Sequence, residues 1–168
     1  MTRTRCTAPL VTAFLVAVAT IAAAEPVRLA RHPDYYAGAI TFSYLGDIWI
    51  AKEDGSGVRR LTDHPARDTF PRFSPDGRWI AFSSARYGNN DVFVMPSGGG
   101  APRRLTFHTG SDDVVGWSRD SQRVLFRATR GDGAFPTVAV LYEIAATGGQ
   151  EKPMSFKTWI PASAGMTT

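Results

Sequence analysis

Three sets of side chains in this sequence have the types and spacing of reaction or binding chemistry. Ser118 lies in Gly116-Trp117-Ser118-Arg119-Asp120, close to the Gly-x-Ser-x-Gly elbow that lifts a nucleophilic hydroxyl out of a sharp strand-to-helix turn. The second glycine is missing and the following segment reads as another strand. Ser118 is therefore expected to be a turn residue, and no catalytic residue is assigned. His32, His64 and His108 are candidate metal ligands, the last two 44 residues apart. A metal needs three or four ligands converging in space, whereas equivalent positions of a repeat stay a repeat-width apart. Loop roles are expected, and no metal. Gly98-Gly99-Gly100 lacks the following helix and lysine of a phosphate-cradling loop, so no cofactor is expected. Asp47 and Asp91 precede equivalent strands and read as acceptors for turn N–H groups, and Asp112-Asp113 reads as a solvated loop. Arg59-Arg60 and Arg103-Arg104 close two strands, where a solvated face is the plain reading.

The elements that position these residues come from a repeat. Arg59-Arg60-Leu61-Thr62-Asp63-His64 returns as Arg103-Arg104-Leu105-Thr106-Phe107-His108, an offset of 44. Asp47-Ile48-Trp49-Ile50 matches Asp91-Val92-Phe93-Val94 at the same offset, as Phe73 to Phe82 matches Trp117 to Phe126. A period in the low forties with short strands is the signature of propeller blades. Inside one period, Phe70 to Ser74 reads as a strand and Pro75-Asp76-Gly77 as a tight turn, with Pro pre-setting φ and Gly accepting positive φ. Arg78 to Ser84, Asp91 to Met95 and Pro102 to Thr106 supply three more strands. Four strands and three turns make an up-and-down blade.

The expected fold class is all-β: an incomplete β-propeller of about three four-stranded blades, preceded by a signal peptide. The blades are placed at 26–62, 63–106 and 107–154. The inner hairpin of the first is four residues shorter, since Phe42 to Asp47 spans 5 and Phe82 to Asp91 spans 9. The third is expected to degenerate after Phe126, because Leu141-Tyr142-Glu143-Ile144 and Gly148-Gly149 echo the second blade five or six residues late. Residues 155–168 show no blade pattern and are assigned to an unrelated tail. Trp159 to Thr167 resembles the translation of a dispersed bacterial repeat element, which would mean an interrupted reading frame.

Residues 1–24 read as a secretory signal. Arg3 and Arg5 form a basic start, Leu10 to Ala23 an apolar run, and Ala22-Ala23-Ala24 the small residues of a cleavage site. The run is shorter than the roughly 20 residues that span a bilayer. The expected location is exported and periplasmic, with no membrane association after cleavage. The single cysteine, Cys6, falls inside the leader, so disulfides contribute nothing to the mature domain, 25–154. Without Arg3 and Arg5, 17 of the 19 Lys and Arg remain against 15 Asp and Glu. That balance excludes the clustered basic face of a nucleic-acid binder.

Arg-Leu-Thr, then Pro71-Arg72-Phe73-Ser74-Pro75-Asp76-Gly77-Arg78-Trp79-Ile80-Ala81-Phe82 and Gly88-Asn89-Asn90-Asp91-Val92-Phe93-Val94-Met95, resembles the repeat shared by the TolB and tricorn protease propellers. Arg31-His32-Pro33-Asp34, Gly46-Asp47-Ile48-Trp49 and Val114-Val115-Gly116-Trp117 are similar to the start of exported bacterial tricorn-type proteases. The resemblance covers about Val27 to Met154. It implies a propeller that gates or guides peptides toward a serine protease site in later domains, beyond a PDZ-like module. The chain is too short for those domains, so it is expected to bind peptides or proteins without hydrolysing them. In a gating propeller, Arg59, Arg60, Arg103 and Arg104 become candidate peptide contacts, meeting carboxylates on a channel wall. The alternatives are a TolB-like protein-interaction propeller of the envelope and a non-functional gene remnant.

Closed propellers use about four to eight blades, so that closure covers every sheet face. Three blades leave two faces open, while each ordered residue costs about 1–2 kcal/mol of backbone entropy. A marginal chain that self-associates through its open blade faces is expected.

Overall fold

The computed structural model describes residues 30–129 and 139–154. The expected signal peptide, the tail 155–168 and the segment 130–138 lie outside them. The described residues hold twelve strands and no helix: β1 (Arg31–Tyr36), β2 (Ala39–Tyr44), β3 (Asp47–Lys52), β4 (Arg59–Arg60), β5 (Asp68–Phe73), β6 (Trp79–Ser84), β7 (Asp91–Pro96), β8 (Arg103–Arg104), β9 (Asp112–Trp117), β10 (Arg123–Thr129), β11 (Ala139–Ala145) and β12 (Lys152–Pro153). They form three four-stranded sheets, β1-β2-β3-β4, β5-β6-β7-β8 and β9-β10-β11-β12. All neighbours are antiparallel. These are consecutive blades of an incomplete propeller.

Turn chemistry sets the registers. Ala37-Gly38 and Leu45-Gly46 are two-residue hairpin turns with φ of 44°, 83°, 51° and 93°, the doubly positive geometry that matches strand twist. In the second sheet the β6–β7 connection takes residues 85–90, which accounts for the four extra residues counted there. The first strand of each sheet carries a register shift. In β1 and β5 it coincides with a residue at positive φ, His32 at 52° and Phe70 at 54°. This bulge moves the start of β5 two residues ahead of the expected Phe70.

The Arg-Arg-Leu-Thr motif closes each of the first two sheets. Leu61 and Leu105 donate their N–H to the carbonyls of Ile48 and Val92, both at 2.8 Å. Thr62 and Thr106 Oγ1 accept the N–H of the same two residues, both at 2.9 Å. A buried strand N–H left without an acceptor costs about 1–3 kcal/mol, which explains a threonine at this position in both repeats.

The third blade departs from expectation. It does not degenerate after Phe126: β10 runs to Thr129 and pairs with β11 in unbroken register from Arg123↔Ala145 to Thr129↔Ala139, with β12 beyond. The nine residues 130–138 between the two strands displace the later motifs along the sequence without disturbing the pairing.

The core lies between the sheets. Ile48 meets Phe73, Ile80, Phe82, Phe93 and Met95 at the first junction. Ala81, Val92 and Val94 meet Val114, Val124, Phe126, Ala128 and Ile144 at the second. The middle sheet is thus buried on both faces, with β7 covered from Asp91 through Met95, whereas β10 alternates buried and open positions.

Candidate functional site

The first strands set the geometry. β1 packs on β5 and β5 on β9, so they converge toward one axis, with β4, β8 and β12 at the far edges of their sheets. The converging strands are tied side to side. Asp34 Oδ2 accepts the Phe73 N–H at 2.8 Å, Trp117 Nε1 donates to the Arg72 carbonyl at 3.0 Å, and Arg72 Nε donates to the Val115 carbonyl at 3.3 Å. Between them runs an open groove of about 380 Å³, lined by Asp34, Tyr36, Arg72, Phe73, Val115 and Trp117 among others. Tyr35, 59% exposed, and Val115, 46% exposed, offer apolar surface along it. Gly77 sits at φ 70° beneath Tyr36, where a Cβ would overlap the Tyr36 ring. Glycine is required there by both the conformation and the close approach.

A second groove, of about 410 Å³, opens at the rim between the first two blades. Strands alternate in direction, so this rim carries the start of β1, the β2–β3 turn and the connector from β4 to β5. Arg31, His32, Tyr44, Leu45, Arg67 and Thr69 line the groove. His32 packs against Phe70 with the rings tilted by 41° and centroids 4.1 Å apart, and its Nδ1 lies 3.4 Å from Ser43 Oγ. Burial, followed by the charges of Arg72, Arg31 and Arg67, lowers the pKa of His32 below the ordinary imidazole value, and Asp113 opposes them.

The residues singled out in the sequence hold the framework. Ser118 Oγ bonds Asp120 and accepts the Arg123 N–H at 2.9 Å. Ser74 does the same with Asp76 and the Trp79 N–H. Both serines lie in strand-to-strand turns. His64 Nδ1 accepts the Ala66 N–H and His108 Nδ1 the Gly110 N–H, at 3.0 and 2.9 Å; each histidine shapes its own connector. Asp47 pairs with Arg60 at 2.7 Å and Asp91 with Arg104 at 2.8 Å. Burial raises the Asp91 pKa above the usual carboxylate value, and Arg104 offsets only part of the rise. Asp112, expected in a solvated loop, is instead fully buried at the start of β9, where its N–H donates to the Asn90 carbonyl at 2.7 Å.

The four candidate arginines are not gathered on the axial groove. Arg59 donates to the Gly98 carbonyl of the next blade at 3.0 Å, and Arg103 to the Thr147 carbonyl at 2.8 Å. Arg60 reaches Asp63 as well as Asp47, and Arg104 lies over the Tyr87 and Phe107 rings. They form clasps between and within blades. Asp34, Arg31 and Arg67, which line the grooves together with Arg72, do not repeat at the 44-residue offset. Their one signal in the sequence is departure from the repeat. The grooves present charged, hydroxyl and aromatic groups.

Comparison with known proteins places this architecture. The Protein TolB homolog of Chlorobium luteolum is 45% identical over 58 residues, 33% of this chain and 13% of that protein. Tricorn protease homolog 1 of Streptomyces coelicolor is 37% identical over 71 residues, 42% of this chain and 7% of that protein. The chain therefore spans only a small part of the curated relatives it matches. Among solved structures, that of the tricorn protease superposes with a TM-score of 0.64 at 25% identity, covering 75% of this chain and 13% of the other. The putative TolB from Agrobacterium tumefaciens gives 0.62 at 22% identity, covering 74% and 47%. The family described as the tricorn protease N-terminal beta propeller domain matches residues 27–165. Three blades built on its repeat, and a family match over most of the sequence, make this chain a member of the tricorn N-terminal β-propeller family.

Proposed function

We propose that this chain is an exported, periplasmic, non-catalytic propeller segment that binds peptides or protein segments along its axial wall. The observation that carries the reading is the groove between β1, β5 and β9, where Asp34 and Arg72 stand beside Tyr36, Phe73, Val115 and Trp117. An extended peptide presents alternating side chains and free backbone groups, and a wall of mixed aromatic and charged residues meets both. The tricorn relatives favour a short peptide as ligand. The TolB relatives favour a second reading, a protein partner docked on the same wall.

The test is binding of labelled extended peptides to the purified chain, read by fluorescence anisotropy. Val115→Asp places a charge on the exposed wall without touching the core, and about a tenfold loss of affinity is expected. Unchanged affinity overturns the axial site. Alanine at Arg59, Arg60, Arg103 or Arg104 tests the peptide contacts expected of them, and binding that survives all four assigns these side chains to the framework. Binding of a folded envelope protein but of no short peptide favours the TolB-like reading. Self-association through sheet faces with no described neighbour completes the proposal, and sedimentation velocity measures it.

A further inference from the structure

The rim groove between the first two blades carries positive charge that the described residues leave unneutralised. Arg31 at the start of β1 and Arg67 on the connector into β5 are both exposed, and neither guanidinium has a hydrogen-bond or ion-pair partner among the described residues. The nearby acids are engaged elsewhere. Asp68, fully buried in the groove wall, pairs through Oδ2 with Arg86 at 2.8 Å while its Oδ1 has no hydrogen-bond partner among the described residues, and Asp113 pairs with Arg127 at 3.0 Å. Arg72 approaches from the axial side with its donors on the carbonyls of Pro71 and Val115, which satisfy its hydrogen bonds but not its charge. Burial and then these arginines lower the pKa of His32, which lines the same groove. Leu45, 75% exposed at the tip of the β2–β3 turn, and Tyr44 add an apolar flank.

Guanidinium groups match carboxylates in shape as well as charge, since their planar fork donates two parallel hydrogen bonds. Two unpaired forks beside an apolar flank fit Asp or Glu side chains alternating with an apolar one. We infer that this groove is a docking subsite for an acidic segment of the bound peptide or protein, with Arg31 and Arg67 pairing its carboxylates and Leu45 and Tyr44 covering the apolar side chain between. The inference rests on the peptide and protein binding proposed above and adds the chemical class of the ligand.

The experiment compares two labelled peptides on the full chain at low and high salt, one with glutamates flanking leucines and one with glutamines in their place. The glutamate peptide is expected to bind about tenfold tighter at low salt, with the advantage shrinking as salt screens it. Arg31→Gln combined with Arg67→Gln removes that advantage and leaves the glutamine peptide unchanged. Arg78→Gln, on the opposite rim, leaves both unchanged. Equal affinity for the two peptides, or an advantage that survives the double substitution, overturns the subsite while axial binding stands. Failure of both peptides to bind overturns the axial reading as well. Displacement of the glutamate peptide by inorganic phosphate as readily as by unlabelled peptide makes this a small-anion site and also overturns the inference.

Discussion

The outward faces of the first and third sheets both lack a neighbouring sheet among the described residues, yet they are built differently. In every blade the face toward the preceding one holds an aromatic cross-strand pair: Phe42 with Trp49, Phe82 with Phe93, Phe126 with Tyr142. The opposite face is shallow in the first two blades, where Thr41 pairs with Ile50 and Ala81 with Val94. In the third, the corresponding pair is Leu125 with Glu143. Arg123 reaches Glu143 at 3.3 Å and Arg127 reaches Asp113 at 3.0 Å. An aromatic pair seats on a shallow apolar surface. On this one it would meet a larger leucine and bury ion pairs, and both changes cost free energy. The aromatic face is therefore the constant part of the blade, and the opposite face is where blades differ in what they accept.

The largest test of that difference is core truncation. Phe82→Ala or Phe126→Ala, each removing a fully buried ring, is expected to cost about 3–5 kcal/mol in denaturant unfolding. Leu125→Ala on the outward face should cost about 1 kcal/mol or less, in line with partial burial. Equal losses would mean that the outward face of the third sheet is also covered. Next in size, Thr62→Val and Thr106→Val each strip the acceptor from a buried N–H and should cost about 1–3 kcal/mol. Matched values would show that the two repeats use the motif alike. Glu143→Val recreates the Val94 surface on the third sheet. Its own stability should change by less than about 1 kcal/mol, as expected of a partly exposed ion pair, but sedimentation should show stronger self-association.

The finest contrast is in pH dependence. Hydrogen bonds from Ser74 and Arg78 lower the Asp76 pKa from the usual carboxylate value to about 2. Its stabilising contribution is present above the unfolded carboxylate pKa and is lost as pH falls toward about 2. Burial raises the Asp91 pKa. Its contribution has the opposite sign, present below the unfolded pKa and lost as pH rises through the folded one. Acid titration of Asp76→Asn should show a weaker loss of stability between pH 4 and about 2 than the unsubstituted chain.

The framework was legible in the sequence because it repeats. Thr62 and Thr106, Ser74 and Ser118, and Asp47 and Asp91 make the same bonds in successive blades, so one offset exposes them all. The grooves were not legible because they occupy the positions that vary. Arg31, Thr69 and Asp113 hold equivalent places in their first strands, and only Arg31 contributes an unpaired cation to the rim. The bulges at His32 and Phe70 were also invisible, since a positive φ in a bulky residue follows from how first strands bend around the axis and not from local propensity. The late third strand misled the reading of the last blade, because spacing counts residues along the chain while pairing counts them across the sheet.

The bonds that join one blade to the next set a natural unit of length for the gene. The Asp68 N–H donates to the Gly46 carbonyl and the Asp112 N–H to the Asn90 carbonyl, both at 2.7 Å, and donor and acceptor each advance by 44 positions from one junction to the other. Copying or deleting one such unit of codons leaves every surviving junction with its donor facing its acceptor. A change of another length between the two bonding positions shifts donor past acceptor, and is accommodated where it falls between two paired strands, as the nine residues 130–138 fall between β10 and β11 in the sequence. Recombination within such a gene would thus add or remove whole blades far more readily than parts of one.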